Sequence, residues 1–276
     1  MMGKHSYLRM GLMLIALTML MVAFGVVAHA SSANAVWPED SGEVVETDGK
    51  LVVDCSHMES GYVMCRASEP TKHGLKIRVT FSGAQLTYDL DNGGGYEVFP
   101  LQLGSGSYEF ALFENVSGGK YSSEGKVVLP VQLVNENAPF LVPNQYVNYA
   151  RTTNAVIMSD EVCSQGDAYN AICDFMTNNF SYDFARAQMI ASNRLSLLPD
   201  IENAFEARAG VCQDLSAIMV CMLRVQGIPA KLMIGYADSY YHAWIVAVVD
   251  GKETFFDPTH AIGCINAKKY AVERFY

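Results

Sequence analysis

Charge is scarce in these 276 residues: 17% are Asp, Glu, Lys or Arg, against 50% apolar. That balance excludes an intrinsically disordered chain, which needs low hydrophobicity and dense charge. Basic side chains are scarcer still, 19 against 29 acids, for a formal charge of −10. A surface so poor in Lys and Arg repels a polyanion, so nucleic acid is not an expected partner. No Cys-x-x-Cys or His-x-x-x-His spacing occurs, and no metal or cofactor is expected. No glycine-rich phosphate loop opens a helix; Gly93-Gly94-Gly95 reads as a turn between strands. Beyond residue 30 no apolar run reaches the length of a membrane span. Internal repeats and low-complexity tracts are also absent. The length suits one large domain or two small ones.

What is present begins with an export segment. Lys4 and Arg9 precede an apolar run from Gly11 to Val27, and Ala28-His29-Ala30 has the small-x-small form of a cleavage site. Residues 1–30 read as a signal peptide, which predicts a secreted or extracytoplasmic protein; an uncleaved N-terminal anchor is the alternative. Cleavage leaves 17 bases against 29 acids, a charge of −12. Seven cysteines are an odd number, so at least one is unpaired within the chain. Cys55 and Cys65 flank a polar turn and are one candidate disulfide. Cys163 and Cys173 are another, and buried free thiols are the alternative.

Residues 31–50 are polar and acidic and read as a linker. From 51 to 143 the pattern is short and β-like, with candidate strands at 51–53, 76–81, 85–88, 96–99, 108–113 and 127–133. Glycine-rich turns separate them, as in a small β-sandwich. This stretch holds no cluster of nucleophile, base and acid, so a targeting or spacer role is expected. After Ala138-Pro139-Phe140-Leu141-Val142-Pro143 the period changes, and residues 144–276 read as a second, catalytic domain. Tyr169, Ile172, Cys173, Met176 and Phe180 recur at helical spacing, and 183–192 predicts another helix.

Gly210-Val211-Cys212-Gln213-Asp214 opens an almost wholly apolar helix to about Gln226, with Gly227 at the left-handed cap and Pro229 preventing continuation. Cys212 lies in its first turn, where unpaired N–H groups and the positive dipole end favour thiolate, the nucleophilic form. Cys221, deeper in the helix, reads as core. After residue 30 the histidines are His57, His73, His242 and His260. His242 begins the alternating strand Tyr241–Val249, Asp250-Gly251 is a two-residue hairpin signal, and Lys252–Asp257 returns.

With that turn, paired residue numbers sum to 501, so Asp257 stands opposite Trp244 and shares a face with His242. A three-residue turn would put Asp257 on the other face. Cys212, His242 and Asp257 thus supply nucleophile, base and orienter. The plainer reading has Asp257 capping a loop and His242 as an edge-strand residue.

Over roughly Ala168–Ala261 the sequence resembles the bacterial branch of the transglutaminase-like superfamily. The resemblance rests on Asn178–Asp183, Gly210–Asp214, Gly227-Ile228-Pro229-Ala230-Lys231, His242-Ala243-Trp244 and Phe256-Asp257-Pro258-Thr259, in that order. It implies an α+β fold with a papain-like core behind the β-sandwich. It also implies acyl transfer at amide bonds through a thioester, with Cys212, His242 and Asp257 as the catalytic triad. Gln213 stands where an acid is common, Thr254-Phe255-Phe256 lacks the Trp often seen before Asp-Pro-Thr, and His260 replaces a common aromatic; substrate choice is what these departures affect.

The expected enzyme is a cysteine hydrolase or acyltransferase, a protease or amidase rather than a cross-linker, with a protein or peptide as substrate. The alternative is a non-catalytic cell-surface binding module that keeps the fold as a scaffold.

Overall fold

The short, turn-punctuated apolar pattern of residues 45–131 becomes two antiparallel sheets. The computed structural model describes residues 35–164, 167–192 and 198–276; the expected signal peptide lies outside them. Strands β1 (Val45–Asp48), β2 (Leu51–Asp54), β3 (Tyr62–Ala67), β4 (Leu75–Phe81), β5 (Ala84–Leu90), β6 (Glu97–Pro100), β7 (Gly106–Ser117) and β8 (Lys120–Val131) follow in order. They form sheets β1-β2-β3-β6 and β5-β4-β7-β8. Leu51, Val53, Val63 and Cys65 of the first share one apolar cluster with Ile77, Val79, Phe110 and Leu112 of the second. Tyr88 on β5 meets Phe99 on β6 edge-on, with ring centroids 5.5 Å apart.

Strand β1 lies in the stretch read as linker. All four of its residues are exposed, so no alternation marks it. Backbone pairing with β2 makes it a strand.

All seven cysteines are free thiols. In the β2–β3 ladder Val53 faces Cys65 and the ladder ends at Asp54–Met64. Cys55 therefore falls past its end, diagonal to Cys65 rather than opposite it. Burial pushes the Cys55 thiol up to about 11.

The second half adds α1 (Asn154–Val162), α2 (Ala168–Asn179), β9 (Ser181–Tyr182), α3 (Phe184–Ala191), α4 (Ile201–Ala207), β10 (Ala209–Gly210), α5 (Cys212–Val225), β11 (Ala230–Ala237), β12 (Tyr240–Val249), β13 (Lys252–Phe256), α6 (Pro258–Ala261) and β14 (Tyr270–Phe275). Together these make an α+β fold. Asp167 caps α2 by accepting from Tyr169 N at 3.0 Å, and Tyr169, Ile172, Cys173 and Met176 are buried at the expected spacing. Helix α5 is central. Every residue after Cys212 is buried, and each fully buried Leu, Ile, Met or Val contributes roughly 1.5–3 kcal/mol.

The end of α5 is a left-handed cap: Gly227 has φ +76°. Gly227 N donates to Arg224 O at 2.9 Å and Ile228 N to Leu223 O at 3.0 Å, so orphan carbonyls are satisfied. Arg224, fully buried, donates to the carbonyls of Ala230 (2.9 Å), Val142 (2.6 Å) and Tyr276 (3.0 Å). Burial pushes its guanidinium down to about 10, so it stays charged at neutral pH while it ties three segments to the helix. The last sheet runs β13-β12-β11-β14. Its central strands pack on α5 through Ile234, Ala243, Ile245 and Ala247, all part of the apolar core.

Candidate active site

The hairpin is the simplest part to derive. Asp250 (φ +50°) and Gly251 (φ +74°) both have the left-handed backbone that a type I′ turn requires. Val249 pairs with Lys252 and Ile245 with Phe256, so paired numbers sum to 501 as expected from the two-residue turn. Asp257 follows directly, level with Trp244, and its side chain points to the His242 face.

Asp257 is buried and its two oxygens divide the work. Oδ1 accepts from Thr259 N at 2.9 Å and from His260 N at 3.1 Å, capping α6. Oδ2 accepts from His242 Nε2 at 2.9 Å and from the Tyr270 hydroxyl at 2.8 Å. The capping role and the histidine-orienting position therefore coexist in one residue. His242 lies on β12, an interior strand flanked by β13 and β11, and not on an edge. Its ring stacks near Trp244, with centroids 6.3 Å apart.

Cys212 is the first residue of α5 and half-buried. Cys212 lies close enough to His242 to raise its pKa; since Nε2 serves Asp257, Nδ1 is the ring nitrogen left to face sulfur. Burial alone would lower the His242 pKa. The Asp257 hydrogen bond and charge, together with the nearby Cys212, more than offset it and raise it to about 9. For Asp257, burial would raise the carboxyl, but the His242 hydrogen bond and charge hold it below the ordinary carboxylate value, helped by Tyr270 and the His260 N–H. The result is an imidazolium at neutral pH, hydrogen-bonded to Asp257 and beside Cys212. Such an arrangement holds a proton beside the sulfur.

Residues 151–257 match the family model of the transglutaminase-like superfamily. This segment, under half of the chain, is similar to the transglutaminase-like superfamily. The superfamily that the segment matches is a cysteine-type enzyme family. No curated protein matches the sequence.

Among solved structures, a candidate cysteine protease from Cytophaga hutchinsonii is 15% identical, over 72% of this chain and 79% of that one, at a TM-score of 0.40. The periplasmic domain of TgpA from Pseudomonas aeruginosa is 15% identical over 82% and 78%, at 0.33. A TGase structure is 19% identical over 58% and 46%, at 0.34. These likenesses are loose and carry no chemistry over to this chain.

The three residues expected from the superfamily pattern, Cys212, His242 and Asp257, are brought together. Tyr270 is an addition. It lies on β14, outside the matched segment, and no motif announces it; its only sequence signal is an aromatic in a strand pattern near the end of the chain. Phe255 and Phe256, from the segment that lacks the superfamily's Trp, and His260 line a cavity of about 230 Å³ with Asp257, Ala261, Ala267 and Tyr270. Tyr182, on β9, faces the thiols of both Cys212 and Cys264 and packs edge-on against Phe184 at 5.0 Å. Among the described residues no group of three His, Cys, Asp or Glu is placed to hold a metal ion.

Proposed function

We propose that Cys212, His242 and Asp257 are the catalytic residues of an exported enzyme that cleaves amide bonds of a protein or peptide through a thioester. The observation that carries this reading is the hydrogen bond of His242 to Asp257 at 2.9 Å, with Cys212 close enough to raise the His242 pKa. The Cys212 thiolate attacks the amide carbonyl carbon. Negative charge collects on the carbonyl oxygen, where the backbone N–H of Cys212 at the start of α5 is a natural donor. The C–N bond breaks as the His242 imidazolium gives its proton to the departing amine. Neutral His242 then takes a proton from water, the hydroxide attacks the thioester, and the acid product leaves the thiolate–imidazolium pair restored. Asp257 keeps the ring in one orientation and stabilises its charge throughout.

Hydrolysis is preferred over cross-linking because water is the most abundant acceptor at a half-exposed cysteine. Export is supported by the Lys4–Ala30 pattern, and the β-sheet half serves as an accessory or surface-associating module. A peptide-library screen comparing wild type with Cys212→Ala tests the activity: cleavage by wild type alone supports it, and identical behaviour of the two supports a non-catalytic scaffold. Incubating a Gln-containing peptide with a labelled amine separates the two outcomes of the thioester. Covalent incorporation of the amine overturns the preference for hydrolysis.

A further inference from the structure

Asp214 is the third residue of α5, two positions from Cys212, and it is fully buried. Its carboxylate accepts four hydrogen bonds. Arg186 of α3 donates from Nε at 2.7 Å and from Nη2 at 3.2 Å. Asp200 N, at the start of α4, donates at 2.9 Å, and Val211 N, just before α5, at 3.0 Å. Gly210 makes the approach feasible, since a Cβ there would lie 2.8 Å from Asp214 Cβ and 3.2 Å from Ala204 Cβ. One carboxylate thus ties α3, the start of α4 and the first turn of α5 around the residue that carries the thiol.

This arrangement has an electrostatic cost. A carboxylate at the positive end of a helix satisfies its amides and also cancels part of the field that favours an anion there. Asp214 therefore holds Cys212 in place while opposing a thiolate at that position. Arg186 also faces the carboxylates of Asp183 and Asp200, so one guanidinium stands among three acids. The remaining groups around the Cys212 sulfur are Tyr182 on β9, Cys264 after α6, and His242 with its partner Asp257. His242 and Asp257 offset one another, which leaves the Arg186 cluster as the balance that matters.

We propose that Arg186 and Asp214 form a positioning pair for Cys212: Asp214 fixes the first turn of α5, and Arg186 cancels the carboxylate charge that would otherwise oppose the thiolate. The pair acts through Cys212, so the inference rests on Cys212 as the nucleophile.

The test is the rate of iodoacetamide alkylation of Cys212 in the full chain, followed by mass spectrometry of its peptide at pH 7 and pH 10. Arg186→Gln should slow the reaction about tenfold at pH 7 and leave it unchanged at pH 10, where the thiol is ionised regardless. The double variant Arg186→Gln/Asp214→Asn should return to within about threefold of wild type at pH 7, a rescue that a merely structural ion pair would not give. Equal rates for Arg186→Gln and wild type at pH 7, slowing at both pH values, or no rescue in the double variant would overturn the proposal. Arg186→Lys keeps the charge and serves if Arg186→Gln fails to fold; it should alkylate at the wild-type rate, and a tenfold loss at pH 7 overturns the electrostatic role. A wild-type thiol no faster than free cysteine counts against the nucleophile itself, whereas a fast wild type with an unaffected Arg186→Gln counts against this pair alone.

Discussion

His242 Nε2 lies 2.9 Å from Asp257 Oδ2 although fifteen residues separate them. The Asp250-Gly251 turn sets that distance, because its two residues fix the β12–β13 register. Asp257→Asn keeps an oxygen for the α6 cap but removes the charge that steadies the imidazolium. The expected loss is on the order of 10²–10⁴ in kcat with little change in melting temperature. Stopped turnover accompanied by unfolding would instead assign Asp257 to structure alone.

The pH profile follows from the signs of the two shifts. His242 is raised from 6.5 to about 9, so its contribution to stability is full below 6.5 and is lost as pH rises through about 9. Asp257 is lowered, so its contribution is present above the ordinary carboxylate value and is lost as pH falls below it. The same imidazolium must protonate the leaving amine. Turnover should therefore fall on an alkaline limb centred near pH 9, and Asp257→Asn should move that limb to lower pH. A wild-type limb near 6.5 would mean that His242 is not held by its partners.

Tyr270→Phe removes one of the two donors to Asp257 Oδ2 and leaves the ring packing on Trp244, whose centroid is 5.0 Å away. A hydrogen bond to a charged group is worth about 1.5–3 kcal/mol. The variant should lose roughly tenfold or more in kcat/KM while chemical denaturation shows a cooperative transition. Unchanged kinetics would reduce Tyr270 to a packing role.

Much of this was legible in the residues. The Asp-Gly dipeptide between alternating strands specifies a turn, the turn specifies a register, and the register places Asp257 beside His242. Helix α5 announces itself through an apolar run ended by Gly227 and Pro229. The rest was hidden for physical reasons. Strand β1 is exposed on every residue and forms through backbone pairing alone. Strand β14 is almost wholly exposed, and thirteen residues separate Tyr270 from the Asp257 it serves. The Arg186–Asp214 contact joins two helices 28 residues apart, and such a pair has no local signature. Cys55 and Cys65 looked like facing partners, but the ladder pairs Cys65 with Val53, two residues before Cys55, and sets the two thiols diagonally.

The most direct measurement of the central claim is the alkylation of Cys212 in the wild-type protein at neutral pH. An activated thiol held beside the His242 imidazolium should react with iodoacetamide at least about tenfold faster than free cysteine at pH 7, and His242→Ala should abolish the advantage. A Cys212 that reacts no faster than free cysteine, or as fast without His242, would contradict the account.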